Sequence, residues 1–415
     1  MCIRDSNNIC LSYVWGKGAI QNLEEFDTAL PKNVPKTVED AMLVAINLDI
    51  PFLWVDRYCI DQSDPEEKHD VIRNMDRIYE GAEITIIAAA GGDPHYGLPG
   101  VRGMPRKPQS SLRVCGKLFV AAPEVAGQIQ DSIWSQRGWT YQEMLLSRRR
   151  LVFTDHQMYF QCTMMHNVES LTLRVTEFNG PFGALYRVFP HRGIGHTNRD
   201  LMLRLIEYYK RKLSFKADII HAFAGIVNAF NDSQYFHNKV THFYGIPIVC
   251  SDEQRGLATA SFTSNLMWDI DSVIDEGPSS HVFPSWSWAS AKACQGDNTS
   301  GRLIHRFHHA EDLPWHQDAV QIQVQHTDEG DMDLSNFLAH NNGYERFFPH
   351  IDLTSWISEY DTIADSSAIC SWSTRYIYRG SKHYIVYIGL RNYSAWEAGE
   401  STSCLLYTSP SPRDS

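Results

Sequence analysis

Two stretches of the chain gather the residue types that do chemistry. WVDRYCIDQSDPEE, at 54–67, sets Asp56, Cys59, Asp61 and Gln62 directly after an apolar run. RGWTYQEMLL, at 137–146, carries Glu143 four residues after Trp139 and three before Leu146. On a helix that spacing puts carboxylate, indole and aliphatic side chain on one face. A carboxylate so placed is partly desolvated, which raises its pKa and suits acid–base or cation-stabilising work. The competing reading pairs Glu143 with Arg137, Arg148 or Arg149. In the first stretch, one thiol and two carboxylates without a nearby histidine are an unusual zinc set. Cys59 has no base beside it in sequence, and a polar strand end that caps the following helix is the plainer reading. Cys162 and His166 in CTMMH, with His156 nearby, supply half a metal set and no second pair at finger-like spacing; no metal is expected. Phe283, Trp286 and Trp288 could stack a base or sugar, but aromatic stripes of this kind belong to cores. The Gly16/Gly18 loop lacks the spacing of a phosphate-binding fingerprint.

The surrounding pattern says how these residues are positioned. NNICLSYVWGKG reads as a buried strand from Ile9 to Val14 that runs into the glycine loop, and IPFLWVD as a second strand ending at Asp56. Between them, Pro35, Thr37 and Asp40 predict a helix with Thr37 as N-cap. Asp64, Pro65 and Glu67 mark the start of another, whose stripe runs Val71, Ile72, Met75, Ile78, Tyr79, Ala82. EITIIAAA is a third strand, LRVCGKLFVAA a hairpin, SQRGWTYQEMLLSRR helical, and RLVFTDHQMYFQC a strand pair or long strand. Buried strands alternating with helices predict an α/β fold with a mostly parallel sheet covered on both faces. Ligands of such sheets bind beyond the carboxyl ends of the strands, which is where Trp15–Gly18 and Asp56–Gln62 must lie. After about residue 170 the texture changes to a mixed α+β region. It holds a helical segment at 199–230 (stripe Ile219, Ile220, Phe223, Ile226, Val227, Phe230), a strand bearing Trp286 and Trp288, a polar loop or insertion at 291–345, and strand-like alternation in RYIYRGSKHYIVYIGLRNY.

The net charge of −12 argues against a nucleic-acid-binding surface. No apolar run reaches the ~18–20 residues that span a bilayer. The ends stand apart: MCIRDS at 1–6 and CLLYTS at 404–409 back-translate to an inverted repeat that resembles a translated sequencing-library adaptor, and PSPRDS fits the same reading. Residues 1–6 and 404–415 are therefore set aside, and the natural product is expected to extend past both ends. Of nine cysteines, seven remain once Cys2 and Cys404 are removed. An odd, scattered set favours reduced thiols and a cytoplasmic protein.

The blocks LSYVWG, PKTVEDAM, FLWVDRYCIDQSDPEE, IRNMDRIYEGA and RGWTYQEMLLSRRRLVF, in this order, resemble the fungal heterokaryon incompatibility (HET) domain. YKRKLSFKADIIHAFAGI and FPSWSWAS resemble segments that commonly follow it. The resemblance covers residues 9 to about 165 strongly and 200–290 more loosely. It implies a HET domain at 7–170 with the flavodoxin-like fold of Toll/interleukin-1 receptor (TIR) domains, and a C-terminal α+β region at 171–403. In enzymatic TIR domains a glutamate shortly after a tryptophan cleaves the nicotinamide–ribose bond of NAD; the positions similar to these are Glu143 and Trp139. Thr140 stands where TIR domains have Cys, and Met144 where Leu is usual. Ser12, Trp15, Gly16, Asp56, Cys59, Asp61, Gln62 and Trp139 then become pocket candidates, the Asp56–Gln62 group forming a polar rim or the cap of its helix. The resemblance implies a role in non-self recognition and programmed cell death, with self-association through the domain and other incompatibility proteins as partners. NAD would be a substrate, with no cofactor required. Three readings stay open: NAD glycohydrolase, non-enzymatic recruitment module of the same fold, and, more weakly, a hydrolase using Cys59.

Overall fold

The computed structural model describes residues 7–16, 30–31, 33–61, 63–121, 124–170, 187–190 and 193–250, and beyond them short pieces at 261–262, 265, 268–270, 283, 287–291, 303–305, 323–326, 330–333, 354–355, 374–379, 382–387 and 404–405. Gly18, Gln62, Trp286 and the terminal stretches 1–6 and 406–415 lie outside the described residues. By its internal contacts the chain forms two compact units, Met1–Ser233 and Gln234–Ser415.

In the first unit, β1 (Asn8–Ser12), α1 (Lys36–Asn47), β2 (Phe52–Trp54), the single turn α2 (Asp56–Cys59), α3 (Pro65–Arg73), α4 (Met75–Gly81) and β3 (Ile84–Ala88) follow in order. After the hairpin β4 (Ser111–Val114) and β5 (Lys117–Val120) come α5 (Val125–Gln130), α6 (Trp139–Leu146), β6 (Arg149–Phe153), β7 (Met158–Cys162), β8 (His166–Val168), α7 (Asn198–Tyr209) and α8 (Asp218–Asp232). The six-stranded sheet runs β2-β1-β3-β6-β7-β8. Its first four strands are parallel, and β7 and β8 return antiparallel. This is the expected α/β class, with the strand order reversing direction around β1.

The alternation of β1 explains why both faces are covered. Ile9 and Leu11 join Ile84, Ile86 and Phe153 beneath Val38, Ala41 and Val44 of α1. Cys10, one residue out of phase, joins Trp54 beneath Met75 and Tyr79 of α4, with Trp139 of α6 against the same cluster. On this second face α8 lies over α4 and α6. Gly225 permits the approach, since a Cβ there would meet Gln142 Oε1 at 2.5 Å and Asp76 Cβ at 2.8 Å. Of the stripe expected on this helix, Ile219, Phe223, Ile226, Val227 and Phe230 are buried, while Ile220 at its margin is half-buried.

Helix starts show which local signals survive folding. Asp64 caps α3 as its spacing predicts, accepting from the N–H groups of Glu66 at 2.9 Å and Glu67 at 3.1 Å. Asp64→Ala should cost roughly 1 kcal/mol, read as a lower urea midpoint at unchanged slope. Thr37 and Asp40 behave differently from expectation. The cap of α1 is Pro35, and neither side chain bonds its own helix start. Thr37 Oγ1 accepts from Gly97 N–H at 3.1 Å and Asp40 Oδ2 from Leu98 N–H at 2.9 Å. Gly97 makes this possible: its φ is +90°, and a Cβ would meet Asp40 Oδ2 at 2.7 Å. The acceptors serve a loop nearly sixty residues away because its backbone donors are buried beside them.

In the second unit, β9 (Lys239–Phe243) and β10 (Ile246–Cys250) form a hairpin turning at Tyr244 and Gly245, both at positive φ. Residues 286–288 were expected as strand; instead Trp288–Ala291 is a 3-10 turn. Ser287 starts it by accepting from Ala289 N–H at 3.1 Å, and Trp288 is buried, its indole donating to the Gly245 carbonyl at 2.8 Å. Trp288 is thus a core residue, as its aromatic context suggests. Within the polar 291–345 stretch, Leu303–His305 pairs with Trp268–Ile270, and Gln323–His326 with Gly330–Asp333. Thr374–Arg379 and Lys382–Tyr387 are strands, as the alternation predicts, and pair antiparallel as a hairpin.

Candidate functional site

Parallel strands end at one edge of a sheet, and here β1 and β2 deliver Ser12 and Asp56 to that edge. Helix α6 brings Glu143 to the same place. Ser12 Oγ lies 2.5 Å from Glu143 Oε2. The indole Nε1 of Trp134, from the turns before α6, donates to Ser12 Oγ at 2.7 Å. The Tyr79 hydroxyl of α4, 3.5 Å from the Leu11 carbonyl, also bonds Glu143. Glu143 is 4% exposed and Ser12 1%, so the carboxylate is held inside the protein. Burial raises its pKa above the ordinary carboxylate value; the Ser12 bond, the Arg137 charge, the Tyr79 bond and the Arg211 charge oppose the rise.

Asp56 is tied to the loop after β1. Both of its carboxylate oxygens lie 3.0 Å from Trp15 Nε1, and Oδ1 accepts from Arg57 N–H at 2.7 Å. Its acid is pushed up to about 7, first by burial and then by the negative charge of Glu143, against the pull of Arg137. Gly16 closes this loop at φ +84°, backed by Pro94, whose Cδ a Cβ would meet at 2.8 Å. Two carboxylates therefore converge at the carboxyl ends of β1 and β2, next to the point where the strand order reverses, and the charge of Glu143 disfavours ionisation of Asp56. Paired titratable groups in such an environment are the arrangement from which acid–base and cation-stabilising sites are made.

The arginine pairing considered for Glu143 does not form. Arg149 pairs with Glu83 at 2.8 Å. Arg137 donates to the Tyr13 carbonyl at 2.7 Å and acts on both carboxylates through its charge. Cys59 Sγ accepts from Val55 N–H at 3.4 Å, and burial raises its thiol. That is the reverse of what activates a nucleophile. Asp61 stands apart from the cluster: its exposed carboxylate accepts from Ser63 N–H at 2.8 Å and Ser63 Oγ at 2.6 Å, a local turn ahead of α3. Gln62 lies outside the described residues. Trp139 packs on the Cys10–Trp54–Tyr79 cluster and donates to Asp218 Oδ2 of α8 at 3.2 Å. Cys162 Sγ accepts from Met165 N–H at 3.4 Å, and His166 is buried. Among the described residues no group of three or more His, Cys, Asp or Glu is placed to hold a metal ion.

The segment after α7 completes the surroundings of α6. Arg211 Nη1 donates to Thr140 Oγ1 at 3.2 Å, and its guanidinium sits 4.6 Å from the Tyr141 ring centroid. Gly138 N–H donates to the Lys212 carbonyl at 2.7 Å, while Lys212 N–H donates to Gln136 O at 2.6 Å. Tyr79, Arg211 and Asp218 carry no mark of this role in the sequence. The one legible hint is Trp134, three residues before the RGWT block whose Glu143 it helps to hold.

Among the described residues no helix is long and apolar enough to cross a membrane. No curated protein and no solved structure matches the chain. Residues 9–143, from within β1 to Glu143 itself, match the family model of the heterokaryon incompatibility protein (HET).

Proposed function

We propose that this chain is a fungal HET-domain protein of the cytoplasm, acting in non-self recognition and programmed cell death, and that it hydrolyses NAD to nicotinamide and ADP-ribose at Glu143. The observation that carries this reading is the meeting of Glu143 with Ser12 at the carboxyl end of β1, beside Asp56 at the end of β2. As the C–N bond to nicotinamide breaks, positive charge develops on the ribose. An ionised carboxylate in a site of low dielectric stabilises that charge or holds a ribose hydroxyl. The bonding pair leaves with nicotinamide, which departs neutral, so no strong general acid is needed. Water then adds to the ribose carbon and gives up one proton. The hydrogen bond donated by Ser12 favours the charged form of Glu143 that this chemistry requires. NAD is the substrate, no cofactor is required, and the domain works in association with copies of itself and with other incompatibility proteins.

The deep burial of Glu143 favours a second reading, in which the carboxylate fastens β1 to α6 and the domain kills by recruiting partners through its surface. One experiment separates the two. NAD consumption is measured with concentrated protein, wild type beside Glu143→Gln, together with killing in cells. On the first reading wild type cleaves NAD, the variant loses at least a hundredfold in rate, and killing stops although fold and self-association persist. Killing retained by Glu143→Gln would instead establish recruitment.

A further inference from the structure

We propose that Trp134 is a positioning residue for Glu143, and that it fixes the direction of the hydrogen bond between Ser12 and the carboxylate. An indole N–H can only donate. Trp134 Nε1 lies 2.7 Å from Ser12 Oγ, so the hydroxyl must accept there. A serine hydroxyl has one hydrogen, and among the described residues the partner left for it is Glu143 Oε2 at 2.5 Å. Oε2 is thereby held as an acceptor, and any proton on Glu143 must sit on Oε1. Without the indole N–H, nothing obliges the hydroxyl to accept on that side, and it is free to turn and accept from a protonated Glu143. The preference for the charged form would then be lost.

The surroundings keep this relay intact. Trp134 is fully buried, and Ser12 is 1% exposed, so water does not compete for the serine. Thr140 Oγ1 donates to the Trp134 carbonyl at 2.8 Å, which locks the turn bearing the indole to the first turn of α6. The other groups acting on Glu143 are Asp56 after β2, Cys10 of β1, Tyr79 of α4, Arg137 ahead of α6 and Arg211 after α7. Trp134→Phe alters none of them in sequence. The link to rate rests on the proposed NAD cleavage; the link to ionisation does not.

The test titrates the Glu143 carboxyl carbon by 13C NMR in the full chain labelled at glutamate Cδ, its signal assigned by its absence from Glu143→Gln. Trp134→Phe should raise the pKa of Glu143 by about one unit, a tenfold change in its ionisation, and Ser12→Ala by at least as much. Ser12→Thr, which keeps the hydroxyl, should leave it near the wild-type value. In a Ser12→Ala background, Trp134→Phe should add nothing, because the relay is already broken. An unchanged titration in Trp134→Phe, or a further shift in the double variant, would overturn the proposal, the latter by revealing a merely structural effect. Should Trp134→Phe fail to fold, benzothienylalanine at 134 keeps the bicyclic shape without the N–H and gives the same two outcomes. NAD cleavage plays no part in this readout, so an inert wild type would leave the relay standing while removing the enzyme.

Discussion

Asp56→Asn should stabilise the protein at pH 8 by about 2–4 kcal/mol. The direction follows from linkage. Asp56 titrates at about 7 in the folded protein, against an ordinary value of 3.8. Below the unfolded value both states hold the proton and the fold is at full strength. As pH rises from there towards 7 the unfolded chain releases its proton and the folded one does not, so stability falls through this window and levels off above it. Asparagine has nothing to release, and its amide oxygen can still accept from Trp15. Thermal melts between pH 4 and 8 should show a steep decline for wild type and a shallower one for Asp56→Asn. The slope that remains belongs in part to Glu143, whose pKa is raised in the same direction. Parallel curves for the two proteins would show that Asp56 does not carry this cost. A half-buried acid that weakens its own fold at neutral pH is what a functional site retains and a purely structural one discards.

Gly138→Ala should destabilise the first unit by roughly 1–3 kcal/mol, although its backbone is ordinary. With φ at −63° and ψ at −49°, any residue could adopt this conformation. Space decides the matter: a Cβ would lie 2.5 Å from Leu213 Cδ2 and 2.6 Å from its Cγ. Leu213 is buried, so it can yield only by lifting the 211–213 segment from the start of α6. That segment brings Arg211 to Thr140, so the displacement should also loosen the helix that presents Glu143. Urea denaturation of the two single variants and of Gly138→Ala/Leu213→Ala closes a cycle. The double variant should be more stable than the sum of the singles predicts by about 1 kcal/mol or more. Additivity within a few tenths would mean that Leu213 is not the obstacle.

What the sequence determined by itself was the local grammar and the neighbourhood of the site. Apolar runs such as Ile84–Ala88 and Ile9–Ser12 are strands because they are buried on both faces, and nothing distant needs to be known to read them. The Asp64 cap is legible because donor and acceptor lie within three residues. Asp56 and Trp15 could be nominated because strand ends of a parallel sheet converge on one edge, Glu143 because it shares a helix face with Trp139, and Ser12 through the family resemblance. The tertiary structure alone decided which of them touch. Ser12 and Glu143 are 131 positions apart, Ser12 and Trp134 122, and Trp139 and Asp218 79. No periodicity encodes such pairs. Thr37 and Asp40 carry the spacing of a helix cap, yet a buried loop with unpaired N–H groups outbid their own helix. Asp61 and Asp56 look alike on paper; the chain leaves one in water beside Ser63 and draws the other under Trp15, next to Glu143. Side-chain chemistry is written in the sequence, whereas desolvation, which gives that chemistry its strength, exists only once distant segments have closed around it.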